Sequence, residues 1–532
     1  MSEFQVKKIS LRKEMLKIFL DAPESDQGLE AGLHHDMNGK EKTFPFRIRR
    51  QGRNLLLEFS FFDEDRGSRE TLLTEGDWEV YLQSSASSCR EPLILNSRVR
   101  MALLLKGMRR NLPGGNIVFP MAGDENRLIL RCRGQAFYDS ASVWWKERLA
   151  YIWCTMLRLL RIKADTWVIF EKFCAQAQDN GAAFFMYCME HLKGRERARV
   201  FYILDKNAPA WKRMQKAYGR QVVPFMSFKH MCLMMRSPLY AASESRYQGY
   251  AWRSVPNPVL RQIRTGDHRI LFLQHGVTAF KNVNSVFGKH GYNPMTWFAV
   301  TSEAEKKLVM DHLGYTDEET PVLGFARWDL LEDRQADCPE PFILLMPTWR
   351  SGLDGQSAEV FRQSEYCRIY SSLLDDPELL AVLKEYGICL YFYIHPKLAD
   401  MLGELAVDHP GPVRLIPYAG RNLADLLMSC RALITDYSSV SWDVHYMKKP
   451  VLFFQFDLEH YLQDPGSLVD MEKDLFGDRF DTSKELIRGV RELAERGFTE
   501  RPEFAAGRRE RFAHVDKENC ARTFRFLKRQ GF

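Results

Sequence analysis

Over the first quarter of the chain, apolar and polar positions alternate in short bursts. The runs Phe44–Ile48, Leu55–Phe62, Trp78–Gln83, Ile117–Pro120 and Leu128–Cys132 are parted by Gly, Asp, Asn and Ser clusters at hairpin-like spacing. That pattern predicts a small all-β sandwich or barrel over residues 1–138. No catalytic constellation stands out there, so recognition or packing is its expected task. From Ser142 to Lys163 the period becomes helical. At 100° per residue Trp145, Leu149, Ile152, Trp153, Met156, Leu159 and Leu160 share one side, while Lys146, Glu147, Arg158 and Arg161 gather on the other. Arg148 and Lys163 lie nearer the apolar edge, where long stems can snorkel. Two readings fit this linker, 139–165. One is a helix lying in a membrane interface, using Trp144, Trp145, Trp153 and five basic residues. The other is a helix packed on the next domain, with tryptophan as core filler.

Beyond Thr166, apolar strand-like runs alternate with helical patterns. The first series is Trp167–Phe170, Arg199–Leu204, Val222–Phe225, Ile270–Leu273, Trp297–Val300 and Pro321–Leu323. After a break near Ala336–Pro341 come Phe342–Met346, Ile388–Ile394, Val413–Ile416, Ala432–Thr435 and Val451–Gln455. Alternation of this kind means βαβ units and parallel sheets. The expected fold class is α/β: two Rossmann-type domains, 166–336 and 337–532, facing a cleft.

Composition narrows the function. A chain of 532 residues with 45% apolar content can bury several cores. A net charge of +6 is too diffuse to argue for nucleic acid and fits local basic patches facing anionic substrates or a membrane surface. Eleven cysteines without a CxxC pair or metal-like spacing point to a reducing compartment. Met1 to Lys17 lacks the apolar core of a signal peptide, and no run of 18 uncharged apolar residues occurs. A cytoplasmic protein is expected.

The richest segment is Ala432–Asp443 with the following Lys448-Lys449-Pro450-Val451. A buried strand ends in Thr435-Asp436-Tyr437-Ser438-Ser439, a helical pattern follows, and another strand begins at Val451. Such a turn suits an anion, because the first amides of a helix lack internal partners; equally, Ser438 and Ser439 could simply cap a helix. Other strands end in similar chemistry: Gln274-His275-Gly276 with Lys281, Gly324 to Asp329, Pro347-Thr348-Trp349-Arg350, and His395-Pro396-Lys397. In open α/β sheets ligands sit at these carboxyl ends. Five convergent ends describe a cleft that holds a diphosphate by direct hydrogen bonds, needing no metal and no cofactor.

The ordered set QHG…K, GxxRxD, PTWR, HPK and ITDYSSVSWD…KKP, followed by FxFD (Phe454, Phe456, Asp457), resembles the CDP-glycerol glycerophosphotransferases over roughly residues 165 to 525. The family includes polymerases and primases of teichoic acids and some capsules. The resemblance implies a GT-B-like fold, with 166–336 as the acceptor side and 337–532 as the donor side. It implies transfer of glycerol phosphate or ribitol phosphate from its CDP ester to a hydroxyl, releasing CMP. The implied acceptor is a lipid-linked glycan or a growing polyol-phosphate chain at the inner membrane surface. It also implies roles. His275 is the general base, and His395 joins it as a catalytic residue contacting the pyrophosphate. Arg350, Ser438, Ser439 and Thr435 hold that pyrophosphate, and Asp443 faces the cytidine ribose. Gly276, Lys281, Arg327 and Asp329 are further candidates, the last two also readable as a structural pair at the domain hinge. This chain departs from the family at Ala326, where proline is usual, at Val277-Thr278, where HGTP is expected, and in placing Lys281 six residues after His275. Two other functions fit the same architecture: a glycosyltransferase using a nucleotide sugar, and a non-catalytic membrane-associated binding protein.

Overall fold

The computed structural model describes residues 5–12, 14–21, 28–37, 40–52, 54–62, 71–84, 89–353, 358–394, 411–417 and 422–532. These form two compact units. One gathers Met1–Asp165, Val223–Ser237 and Tyr247–His268, and the other holds Thr166–Val222, Pro238–Arg246 and Arg269–Phe532.

The first unit contains two largely antiparallel sheets. One runs in the order Arg47–Gln51, Asn54–Ser60, Met15–Asp21, Gln5–Arg12, Ile94–Leu95, and the other is built around Asn116–Ala122, Leu128–Gly134, Gly76–Ser84 and Leu29–Met37. Alternate residues of both sheets, among them Val6, Ile18, Leu57, Leu33, Trp78, Val80 and Leu130, share one buried core. The runs expected around Phe44, Leu55, Trp78, Ile117 and Leu128 all lie in strands. A helix, Ser97–Lys106, also forms within this β-rich stretch, capped by Asn96 and closed by Gly107 in the left-handed region at φ 56°.

The amphipathic segment is the helix Ala141–Leu159, capped by Ser140. Its orientation is the reverse of a packed linker. Val143, Glu147, Ala150 and Cys154 are buried against the helices Phe228–Arg236 and Pro258–Thr265. The apolar stripe faces outward instead, with Trp145 60%, Ile152 62% and Leu159 79% exposed. No helix among the described residues is long and apolar enough to cross a membrane.

The second unit holds two six-stranded sheets of the same topology. The first runs Val222–Pro224, Val200–Leu204, Trp167–Phe170, Leu239–Ala242, Arg269–Phe272, Trp297–Phe298. The second runs Val413–Pro417, Cys389–Ile394, Phe342–Leu345, Ala432–Thr435, Val451–Phe454, Asp478–Phe480. In chain order each reads 3-2-1-4-5-6, the doubly wound Rossmann arrangement, and the pairings are parallel. Strands such as WVIF and VLFF are buried throughout, as sheets covered by helices on both faces require. The last helix, Asn519–Arg529, returns to the first sheet, where Cys520, Phe526 and Leu527 join the core of Trp167, Trp297 and Ala326.

Candidate functional site

Strand order reverses between Trp167–Phe170 and Leu239–Ala242 in the first sheet, and between Phe342–Leu345 and Ala432–Thr435 in the second. A doubly wound sheet opens a crevice at such a point. The residues that follow these strands, together with the loop after Arg269–Phe272, build the site.

That loop begins with strain. Gln274 is 1% exposed and adopts φ 58°, a conformation uncommon for any residue but glycine. Its side chain is fully engaged: Nε2 donates to Ala299 O at 2.6 Å and Glu305 Oε1 at 3.0 Å, and Oε1 accepts from Thr278 Oγ1 at 2.7 Å. Glu305 also accepts from the amides of Thr278 and Thr301 at 2.8 and 2.6 Å. Burial raises the pKa of Glu305, while these amide bonds favour its ionised form. The clamp turns His275 outward, leaving its side chain 54% exposed. Its Nδ1 faces Ser243 O at 3.4 Å and Glu244 Oε1 at 3.7 Å. Both are acceptors, so the favoured tautomer carries hydrogen on Nδ1 and keeps a lone pair on Nε2.

Gly276 touches the second sheet's turn. A Cβ on it would lie 2.1 Å from Ser439 Oγ and 2.6 Å from Ser439 Cβ. Only glycine lets the His275 loop rest on the serine turn. Downstream, Phe280 stacks on Phe476 with ring centroids 5.8 Å apart, and its carbonyl accepts from Tyr461.

In the second sheet Ser438 and Ser439 are partly exposed, and the helix Val440–Tyr446 follows them. Thr435 is buried, its hydroxyl donating to Met346 O at 2.6 Å. Arg350 reaches Asp457 through Nε at 2.7 Å and Nη2 at 3.0 Å, and Asp436 through Nη1 at 2.8 Å. Burial works against its charge, but the two carboxylates prevail and raise its pKa. Asp436, fully buried, also accepts from the Thr348 and Tyr437 amides. Arg350 thus frames the turn from beneath.

Arg327 donates to Asp443 Oδ2 at 3.0 Å and Asp179 Oδ1 at 3.0 Å, joining helix starts from both sheets; Asp443 also accepts from Trp328 Nε1. Burial opposes the charge of Arg327, and the two aspartates restore it. Asp329 accepts from the Asn519 and Cys520 amides at 2.9 and 2.8 Å, capping the last helix. His395, with Pro396 and Lys397, lies outside the described residues.

Two cavities meet at His275. One, about 680 Å³, is lined by Gly276, Lys281, Arg350, Ser438, Ser439 and Asp457. The other, about 570 Å³, is lined by Glu171, Asp179, Glu244, Arg327, Val440 and Asp443. A histidine whose favoured tautomer keeps the Nε2 lone pair, lining both cavities beside hydroxyls on a helix start, suits proton removal next to a bound phosphate ester.

Comparison with known proteins decides the family. Residues 153–528 match the profile of the family described as CDP-Glycerol:Poly(glycerophosphate) glycerophosphotransferase. The chain belongs to that family. The minor teichoic acid biosynthesis protein GgaB of Bacillus subtilis (strain 168) is 26% identical over 364 residues, covering 66% of this chain and 38% of that protein. The teichoic acid glycerol-phosphate primase of the same organism is 52% identical over 96 residues, 18% of this chain and 23% of the primase. The chain spans about two fifths of the length of the curated relatives it matches over most of its own extent or a large part of it. A solved structure of the wall teichoic acid polymerase TagF aligns with a TM-score of 0.50 at 15% identity, covering 74% of this chain and 98% of that one. The likeness is one of fold.

In this member of the family, the structure brings His275, Gly276, Lys281, Arg350, Ser438 and Ser439 to one cavity and Arg327 and Asp443 to its neighbour. Motif spacing did not single out Glu244, Glu305 or Asp436. Glu305 carried a visible sign, the Ser302-x-x-Glu305 spacing of a helix start. Glu244 and Asp436 had only their places at strand ends.

Proposed function

We propose that this chain transfers glycerol phosphate or ribitol phosphate from its CDP ester to a hydroxyl of a polyol-phosphate chain or lipid-linked glycan, releasing CMP, in teichoic acid or capsule synthesis. The observation that carries the reading is His275 lining the cavity where Gly276 meets Ser439, its Nδ1 turned to Ser243 O and Glu244. The paired Rossmann sheets support a GT-B-like enzyme. The nucleoside occupies the cavity lined by Asp443, with the diphosphate over Ser438 and Ser439. The polyol and the acceptor take the larger cavity, where Lys281 offers positive charge. His275 Nε2 removes the acceptor hydroxyl proton, and that oxygen attacks the phosphorus bearing the polyol. The bond from this phosphorus to the bridging oxygen breaks, and CMP departs with the electron pair. Ser438 and Ser439 hydroxyls stabilise charge gathering on the phosphates. Arg350 and Arg327 act by holding the turn and Asp443 in place.

The test is CMP release from CDP-glycerol and CDP-ribitol, each offered with a synthetic lipid-linked acceptor and followed by mass analysis of products. Release of none from either, with transfer from a UDP- or GDP-sugar instead, overturns the reading. The outward stripe of the helix Ala141–Leu159 supports a peripheral position on the inner membrane face. A Trp153→Ser variant is expected to lose most co-sedimentation with lipid vesicles; unchanged sedimentation removes the membrane from the proposal.

A further inference from the structure

The first compact unit has a cavity of its own. About 360 Å³ in volume, it lies among the helix Ser97–Lys106, the strands Asn116–Ala122 and Leu128–Gly134, and the helix Pro258–Thr265 with the loop before it. Its charge has one sign. Arg100, Arg131, Arg261 and Arg264 line it, and none of its lining residues is an aspartate or glutamate. Arg131 is neutralised by Asp77 through two hydrogen bonds of 2.6 Å. The other three meet neutral groups among the described residues. Arg100 donates to Asn126 and Ser97, and its Nε is buried without a partner. Arg261 sets a guanidinium nitrogen 3.5 Å from Met101 Sδ, and Arg264 stacks over Tyr247 at 5.2 Å.

Three like charges gathered on one cavity repel one another, and a bound anion relieves that repulsion. Guanidinium forks match phosphate oxygens in pairs. Much of the rest of the wall is apolar, with Met101, Leu260 and Trp252 contributing, and Ser97, Ser254, Asn257 and Thr265 add neutral polar groups. A small inorganic ion would leave that wall unused, so the wall and the arginines together select a phosphate carried on an apolar body. The surroundings agree. The exposed side chains of Met101 and Leu105 flank the cavity on their own helix, and the outward-striped helix Ala141–Leu159 packs on Pro258–Thr265.

We propose that this cavity binds the phosphate head group of an anionic membrane lipid, fixing how the first unit sits on the bilayer. The inference rests on the membrane part of the preceding reading and owes nothing to the transfer chemistry. It is tested on the full chain by calorimetric titration with dihexanoyl phosphatidic acid, dihexanoyl phosphatidylcholine and inorganic phosphate. Phosphatidic acid is expected to bind and phosphatidylcholine to fail, with inorganic phosphate much weaker. A double variant, Arg261→Gln with Arg264→Gln, should weaken phosphatidic acid roughly thirtyfold, from the usual worth of each basic side chain at an anionic lipid surface. Arg49→Gln with Arg50→Gln, on an exposed strand elsewhere in the unit, should leave it unchanged. Equal affinity for the two lipids, or equal loss in both double variants, overturns the site. Inorganic phosphate binding as tightly as the lipid overturns the lipid occupant. Trp153→Ser should lose most vesicle binding and spare short-chain lipid binding; short-chain binding by a protein that ignores all vesicles would sink the membrane reading while the cavity keeps its ligand.

Discussion

At the scale of single residues, the chemistry hangs on how His275 is held. Its Nδ1 has two acceptors, and the nearby Glu244 carboxylate makes it a candidate to fix the tautomer and stabilise the imidazolium formed in the reaction. His275→Ala is expected to lower kcat by about 10²- to 10⁴-fold, the usual worth of a general base. Glu244→Gln should lower it less, because an amide cannot stabilise the imidazolium as a carboxylate does. An unchanged kcat assigns Glu244 to structure alone. Gly276→Ala places a methyl where Ser439 stands, so loss of activity with little change in melting temperature is expected. The histidine and the serines were legible in the sequence because they end strands. The carboxylates beneath them were not: Glu305 looks like an ordinary capping residue, and its serine half does form, with Glu305 N donating to Ser302 Oγ at 3.1 Å. Which way its carboxylate points depends on a loop 27 residues earlier in the chain, at Thr278.

Among the elements, the helix Ala141–Leu159 separates pattern from placement. Its stripe could be read from spacing, but the direction it faces could not, since periodicity defines a face and says nothing of what covers it. The structure buries the opposite face through Glu147, whose carboxyl accepts from Tyr250 Oη at 2.9 Å. Burial, opposed by Tyr250 and Arg148, pushes the Glu147 pKa up to about 7 from 4.5. The sign follows directly. The folded state prefers the protonated acid, so this contribution to stability is full below pH 4.5 and is lost as pH rises through 7. Glu147→Gln removes the penalty while keeping an acceptor for Tyr250. The variant's melting temperature relative to wild type is expected to climb between pH 5 and 7.5, reflecting at most about 3 kcal/mol. A flat difference across that range argues against a buried acid. Most strand positions in both Rossmann sheets were legible because VLFF-type runs have no solvent face to interrupt them; Leu239–Ala242 and Asp478–Phe480 were not read, and the expected strand Pro321–Leu323 forms only a bridge from Val322 to Val300. The helix Ser97–Lys106 was not, because its hydrophobic positions form no clear stripe; only Val99 and Leu103 are buried.

On the scale of the molecule, Arg327 links the two sheets of the second unit through Asp179 and Asp443. Arg327→Gln leaves buried Asp443 and partly exposed Asp179 without their shared cation and is expected to destabilise by about 3 kcal/mol. Adding Asp443→Asn should return part of that loss. Thermal unfolding of the single and double variants measures the coupling, and simple additivity would deny the link. The return of Asn519–Arg529 to the first Rossmann sheet bears on how the protein is made. Asp329 waits for its partners at Asn519 and Cys520 while some 190 residues pass between. On the ribosome, the first sheet emerges long before the helix that finishes its core. The two sheets are therefore successive in sequence but simultaneous in completion, and a chaperone meeting the nascent chain would find the surface around Trp297 and Ala326 still bare when the second sheet is already forming.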